Sequence, residues 1–276
     1  METQSTMNPA LLEQARYFTV RDAHLCTVLH QVASPIARVL LVGPFASERH
    51  FSYHTWVRWA RYLAARKIEV LRYDYRGIGE STGTFEDMGF ETWSEDVQLL
   101  AEWFKKRSPN VPLMLHGLEI GAILAAQSFQ MGVGDALLLW SPAASANQAL
   151  RSSLLRWARL EQLFESPENR RSASDYIRQL EQGSVIEVQG YQWSSRLWRD
   201  SSHCHLPDNI GDGGALCKVN NKPVRSIRFG KDPSSVAMPY ARYDEVKELG
   251  GLYSLSFDWI TEALKESTGG HNERSD

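Results

Sequence analysis

The sequence predicts an α/β fold: a mostly parallel sheet covered on both faces by helices. Three observations predict it. Short apolar runs alternate with helix-length amphipathic segments from about residue 39 to residue 140. Alternation of that kind implies crossover connections between parallel strands. A sharp strand-to-helix turn sits at 113–122, with glycines at 117 and 121. And 276 residues with 43% hydrophobic and 23% charged residues suffice for a large core without a disulfide framework.

Taken in order, residues 17–20 and 25–30 read as a pair of strands, and 39–42 as a buried strand bounded by Gly43-Pro44. Trp56, Trp59, Ala60 and Leu63 follow helical spacing up to Arg66. Residues 70–73 form the next strand, which ends at Asp74 and opens a glycine-rich turn over 76–83. Residues 93–106 are a helix with Val97, Leu100, Ala101 and Phe104 on one face. Residues 113–115 are a strand, 120–130 an alanine-rich helix and 136–140 another buried strand. The rhythm then changes: 147–182 reads as wholly helical, 185–188 as a short strand and 201–221 as a loop. Residues 224–229 return as a strand, 252–255 as the last strand and 257–265 as the last helix. The expected organisation is a core of 11–145 and 201–266, a helical cap of 146–200, and flexible tails at 1–10 and 267–276.

Composition excludes several functions. With 30 basic and 33 acidic residues the net charge is −3, so no broad positive field favours nucleic acid. No apolar run approaches the length of a membrane span, and residues 1–10 lack the features of a secretory signal. The three cysteines, Cys26, Cys204 and Cys217, are widely spaced without a CxxC pair, which points to a reducing, cytoplasmic setting. Cofactors and metals are not expected. Gly77-x-Gly79-x-x-x-Gly83 lacks the spacing and the following helix of a dinucleotide loop. His203, Cys204, His205, Asp208 and Cys217 do not have the spacing of a zinc site.

The segment of most chemical interest is Leu113-Met114-Leu115-His116-Gly117-Leu118-Glu119-Ile120-Gly121-Ala122. A strand, Gly-x-Glu-x-Gly and a helix make a nucleophile elbow. Its central residue occupies a strained turn, flanking glycines relieve crowding, and the next backbone N–H points at a developing oxyanion. The central residue here is Glu119, where a Ser, Cys or Asp would be the usual nucleophile. Gly121→Val is expected to destabilise the protein by about 1–3 kcal/mol.

Residues 43–50 (GPFASERH), 59–64 (WARYLA), 72–83 (RYDYRGIGESTG) and the elbow together resemble the α/β-hydrolase superfamily. The chain is similar to its serine aminopeptidase-like branch, which includes hydrolases associated with bacterial exosortase systems. There a Pro-Phe-x-x-Glu loop follows one strand and an Asp-x-x-Gly-x-Gly-x-Ser-x-Gly turn the next. Residues 188–191 (VQGY) also resemble that branch, and the resemblance covers about 15–265. It implies an α/β-hydrolase fold, with Glu119 at the nucleophile position and Asp232 at the acid position. It implies oxyanion N–H groups from Phe45 or Ala46 together with Ile120. His50 and His54 flank that loop in the sequence and could line the pocket. The family's base would be a histidine before the last helix, but 234–266 contains none, and His116 and His271 lie elsewhere. Three functions follow as expectations. The chain is a degenerate hydrolase, a pseudoenzyme, that binds a small acyl or peptide-like ligand or a protein partner. Or it hydrolyses ester, thioester or amide bonds by unconventional chemistry at Glu119. Or it is a scaffold that binds a partner through the cap.

Overall fold

The computed structural model describes residues 12–210, 217–227 and 246–269. An eight-stranded sheet runs through them in the order β1-β2-β4-β3-β5-β6-β10-β9. Strands β3 (Ala37–Val42), β4 (Ile68–Tyr73), β5 (Leu113–Leu118), β6 (Ala136–Trp140) and β10 (Lys222–Ile227) pair in parallel. The edges are antiparallel: β1 (Leu12–Val20) and β2 (Ala23–Gln31) on one side, β9 (Cys217–Val219) on the other. Every residue of β3, β5 and β6 is buried. Strands covered on both faces read as continuous apolar runs, which is why the central strands were legible.

Helix α1 (Ser47–Ala64) packs on one face of the sheet, with α7 (Val246–Gly269) beside it. Helices α2 (Phe90–Lys106) and α3 (Ile120–Gln130) cover the other face. Helix α2 buries Trp93, Val97, Leu100, Ala101 and Phe104, a stripe at helical spacing. Between β6 and β9 the chain forms α4 (Ala146–Glu161), α5 (Ala173–Glu181), the hairpin β7 (Ile186–Val188) and β8 (Tyr191–Trp193), and α6 (Ser195–Ser201). The hairpin turns at Gln189 and Gly190, both with positive φ, as a two-residue turn between twisted strands requires.

The structure corrects four sequence expectations. Residues 252–255 are part of α7, not a strand: Tyr253, Ser256, Ile260 and Ala263 are buried while Leu255 is exposed, a helical period. Residues 147–182 are not one helical run. Helix α4 ends at Glu161, Pro167 opens a separate short turn over 167–169, and Ser172 opens α5 through a reciprocal capping box with Asp175. Residues 201–221 are not all loop: 201 ends α6 and 217–219 form β9, paired to β10 through a turn at Asn220 and Asn221. Helix α7 also continues to Gly269, beyond Ser267.

Candidate active site

The site is built where β5 hands over to α3. Glu119 caps α3 with φ 53° and ψ −116°, a backbone region that L side chains rarely occupy. Its N–H donates to the Trp140 carbonyl at 3.0 Å, and its carbonyl accepts from Ala122 N–H at 3.1 Å. The glycines make this turn sterically feasible. A Cβ on Gly117 would lie 2.3 Å from the Ala122 Cα, and one on Gly121 would lie 2.2 Å from the Gly43 carbonyl oxygen. The expected elbow is therefore present as backbone geometry, with α3 pressed against the end of β3.

Ala46 caps α1 in nearly the same conformation, φ 51° and ψ −132°. The neighbouring Phe45 is buried in an aromatic cluster, 5.1 Å from Trp93 and 6.3 Å from Trp193 between ring centroids. Ala46 and Ile120 thus stand at the starts of two helices, where backbone N–H groups have no partner within the helix.

The Glu119 side chain is 9% exposed, and its Oε1 has no hydrogen-bond partner. Burial, and then the nearby Glu48 carboxylate, push its pKa up to about 8, against a smaller opposing effect from Arg156. Glu48 lies on the first turn of α1 and pairs with Arg156 of α4. Ser153 Oγ donates to Glu48 Oε1 at 2.9 Å. The sequence reading missed this group. Glu48 stood in the quoted Pro-Phe-x-x-Glu motif, but Ser153 and Arg156 lie more than a hundred residues away, and no spacing signals them.

The other candidates are dispersed. Asp232 and His271 lie outside the described residues. His50 and His54 follow the 43–46 loop on α1, are exposed, and line a cavity whose lining does not include Glu119. The helix begins at Ser47, straight after the strained Ala46, so these histidines already lie within α1. His116 faces α1, packed against Trp56, Trp59 and Trp140. Burial lowers its pKa to about 3, and Nδ1 sits 2.9 Å from the Leu138 carbonyl oxygen. The glycine-rich turn is a latch: Asp74 Oδ2 accepts from Glu80 N–H at 3.1 Å, and Ser81 Oγ donates to the Asp74 carbonyl at 2.6 Å. Cys204 Sγ lies 3.9 Å from Gln127 Oε1, and His205 Nε2 lies 2.6 Å from the Ser202 carbonyl oxygen. Among the described residues no three His, Cys, Asp or Glu side chains cluster as a metal site, and no helix is long and apolar enough to cross a membrane.

The family described as serine aminopeptidase, S33, matches residues 35–179, more than half of the chain. The chain belongs to that family. No curated protein matches it. Among solved structures it is similar to the Est1E protein from Butyrivibrio proteoclasticus with bound ferulic acid, at 14% identity and a TM-score of 0.61 over 91% of this chain and 100% of that one. It is also similar to mouse alpha/beta hydrolase domain-containing protein 10, at 12% identity and a TM-score of 0.54 over 90% and 99%. A lidless serine hydrolase from Xanthomonas campestris aligns at 22% identity and a TM-score of 0.42, over 48% of this chain and 62% of its own. The two broader alignments establish the α/β-hydrolase fold.

Proposed function

We propose that this family member is catalytically degenerate, and that its elbow binds a small ligand with an acyl or peptide-type carbonyl instead of hydrolysing it. One observation carries the reading: a buried carboxyl with an unpartnered oxygen stands at the strained tip of the elbow. With a pKa near 8, Glu119 is mostly protonated at neutral pH. A protonated carboxyl is not a nucleophile, but its O–H is a donor. With N–H groups from the starts of α1 and α3 it would present donors to a carbonyl oxygen. The absence of histidine from 234–266 supports the same reading, since a hydrolytic elbow needs a base. Residues 146–200 would be the cap over this site, with Arg156 reaching down from α4 to Glu48. The loop motifs at 44–48 and 74–83 favour the branch that includes exosortase-associated hydrolases.

The test is a fluorophosphonate-labelling and p-nitrophenyl-ester screen of the pure protein, with Glu119→Ala as control. No label at position 119 and no turnover above the control are expected. Turnover lost in Glu119→Ala would instead establish Glu119 chemistry. Glu119→Ser should give trace esterase activity at most, because oxyanion stabilisation and binding alone supply about 10³–10⁴ over water. A kcat near about 10 s⁻¹ for that variant would reveal a base and defeat the proposal. A second reading, a scaffold that binds a partner protein through the cap, rests on Leu163 and Phe164, which are 75% and 82% exposed. A stable complex that survives Glu119→Ala but not Phe164→Ser would favour it.

A further inference from the structure

A cavity of about 550 Å³ lies between β2, β4 and the first half of α1, away from Glu119. Its volume is that of an ordinary small-molecule site. One wall is a stripe of α1 residues at helical spacing: Arg49, His50, Tyr53 and His54. Arg72 of β4 and Cys26 of β2 line it from the sheet.

Its two arginines differ. Arg49 is neutralised, with Nη2 2.5 Å from Asp74 Oδ1. Arg72 makes no salt bridge among the described residues, and the Glu13 carboxylate, paired with Arg61, lies near enough to feel its charge. The Arg72 Nε donates to His30 Nε2 at 3.0 Å and its Nη1 to Tyr53 Oη at 3.3 Å. His30 does not compete as a second cation, because burial and Arg72 lower its pKa to about 4. The Tyr53 ring lies 5.4 Å from the Arg49 guanidinium carbon and 5.6 Å from that of Arg72, and so holds both groups in place. A guanidinium has five N–H donors, and the two bonds of Arg72 leave three for a ligand. Asp74 is taken up by Arg49 and Glu80 also lines the cavity, so the charge available to an anion is that of the Arg72 guanidinium.

We propose that this cavity is a binding site for a small oxyanion-bearing molecule, a carboxylate or a phosphate monoester, held by Arg72 with His50 and His54. A half-buried guanidinium with unused donors suits such an anion through parallel charge-assisted bonds. The site is separate from the elbow and does not depend on the reading of Glu119. Cys26 supplies a reporter on its wall. Its thiol pKa is raised by burial and by Asp74 and Glu80, so it should react slowly and be shielded by an occupant.

Inorganic phosphate and citrate serve as probes, titrated by calorimetry up to about 10 mM, ten times the 1 mM scale of a weak complex. At least one should bind, and Arg72→Gln should weaken it about tenfold or more. Binding of phosphate alone assigns the phosphate class, and binding of citrate alone the carboxylate class. The bound probe should also slow iodoacetamide labelling of Cys26. If Arg72→Gln does not fold, the double variant His50→Ala/His54→Ala, at exposed positions, must show the weakened binding. No binding of either probe overturns the proposal. Equal affinity in the folded variant, or unchanged Cys26 labelling, also overturns it.

Discussion

The junction of β3 with α1 and that of β5 with α3 share one backbone device. Each places a non-glycine residue at the helix cap with φ near 50° and strongly negative ψ, and neither cap is relieved by a side-chain hydrogen bond. They differ in what the strained residue carries. Ala46 carries a methyl group buried among apolar neighbours. Glu119 carries a carboxyl into the same buried layer and leaves an oxygen without a partner. The first junction holds only backbone strain, of order 1–3 kcal/mol, whereas the second adds the cost of burying an ionisable group.

The largest effect expected at these junctions comes from Gly121→Val. A Cβ there would meet the Gly43 and Val42 carbonyl oxygens at 2.2 and 2.4 Å, both rigid backbone. The loss should reach about 3 kcal/mol or more, at or above the top of the range expected from sequence. Chemical denaturation measures it, and an unchanged midpoint would mean that α3 does not press on β3.

A smaller effect separates the two junctions by charge. The folded-state pKa of Glu119 is raised above its unfolded value, so the neutral form favours folding. Stability relative to a neutral side chain is therefore fully present below about pH 4.5 and declines as pH rises towards about 8. Glu119→Gln should flatten that decline and stabilise the protein at pH 7–8 by up to about 3 kcal/mol. Melting temperatures of both proteins across pH 5–8 test this, and parallel curves would place the Glu119 carboxyl in water. The corresponding Ala46 junction should show no pH dependence of its own.

The smallest effect is Ala46→Gly. Glycine relieves the positive φ but adds unfolded-state entropy, so the net change should be a stabilisation of at most about 1 kcal/mol. Glu119→Gly should stabilise more at pH 8 than at pH 5, because there it removes the carboxylate as well. Equal gains for the two variants at pH 8 would erase the distinction between the junctions.

The elbow was legible because its requirements are local. A buried strand, two glycines two residues either side of a central position and an apolar helix leave few other conformations, and a Cβ at either glycine would strike backbone. The position of Glu119 at its tip followed from spacing alone. The error at 252–255 has an equally local cause. Four residues cannot distinguish the period of a strand from that of a helix, and α7 declares itself only through Ser256, Trp259, Ile260 and Ala263.

Sequence by itself therefore determined the central strands, the flanking helices and the strained turn, since each depends on residues within a few positions of one another. Tertiary structure decided the chemical character of the site. The Glu48–Arg156 pair and the cavity between β2, β4 and α1 join residues far apart in the chain. The state of Glu119 depends on how deeply it is buried and on which charges the fold brings near it. Burial and charge proximity are properties of three-dimensional packing, and a linear pattern does not encode them one position at a time.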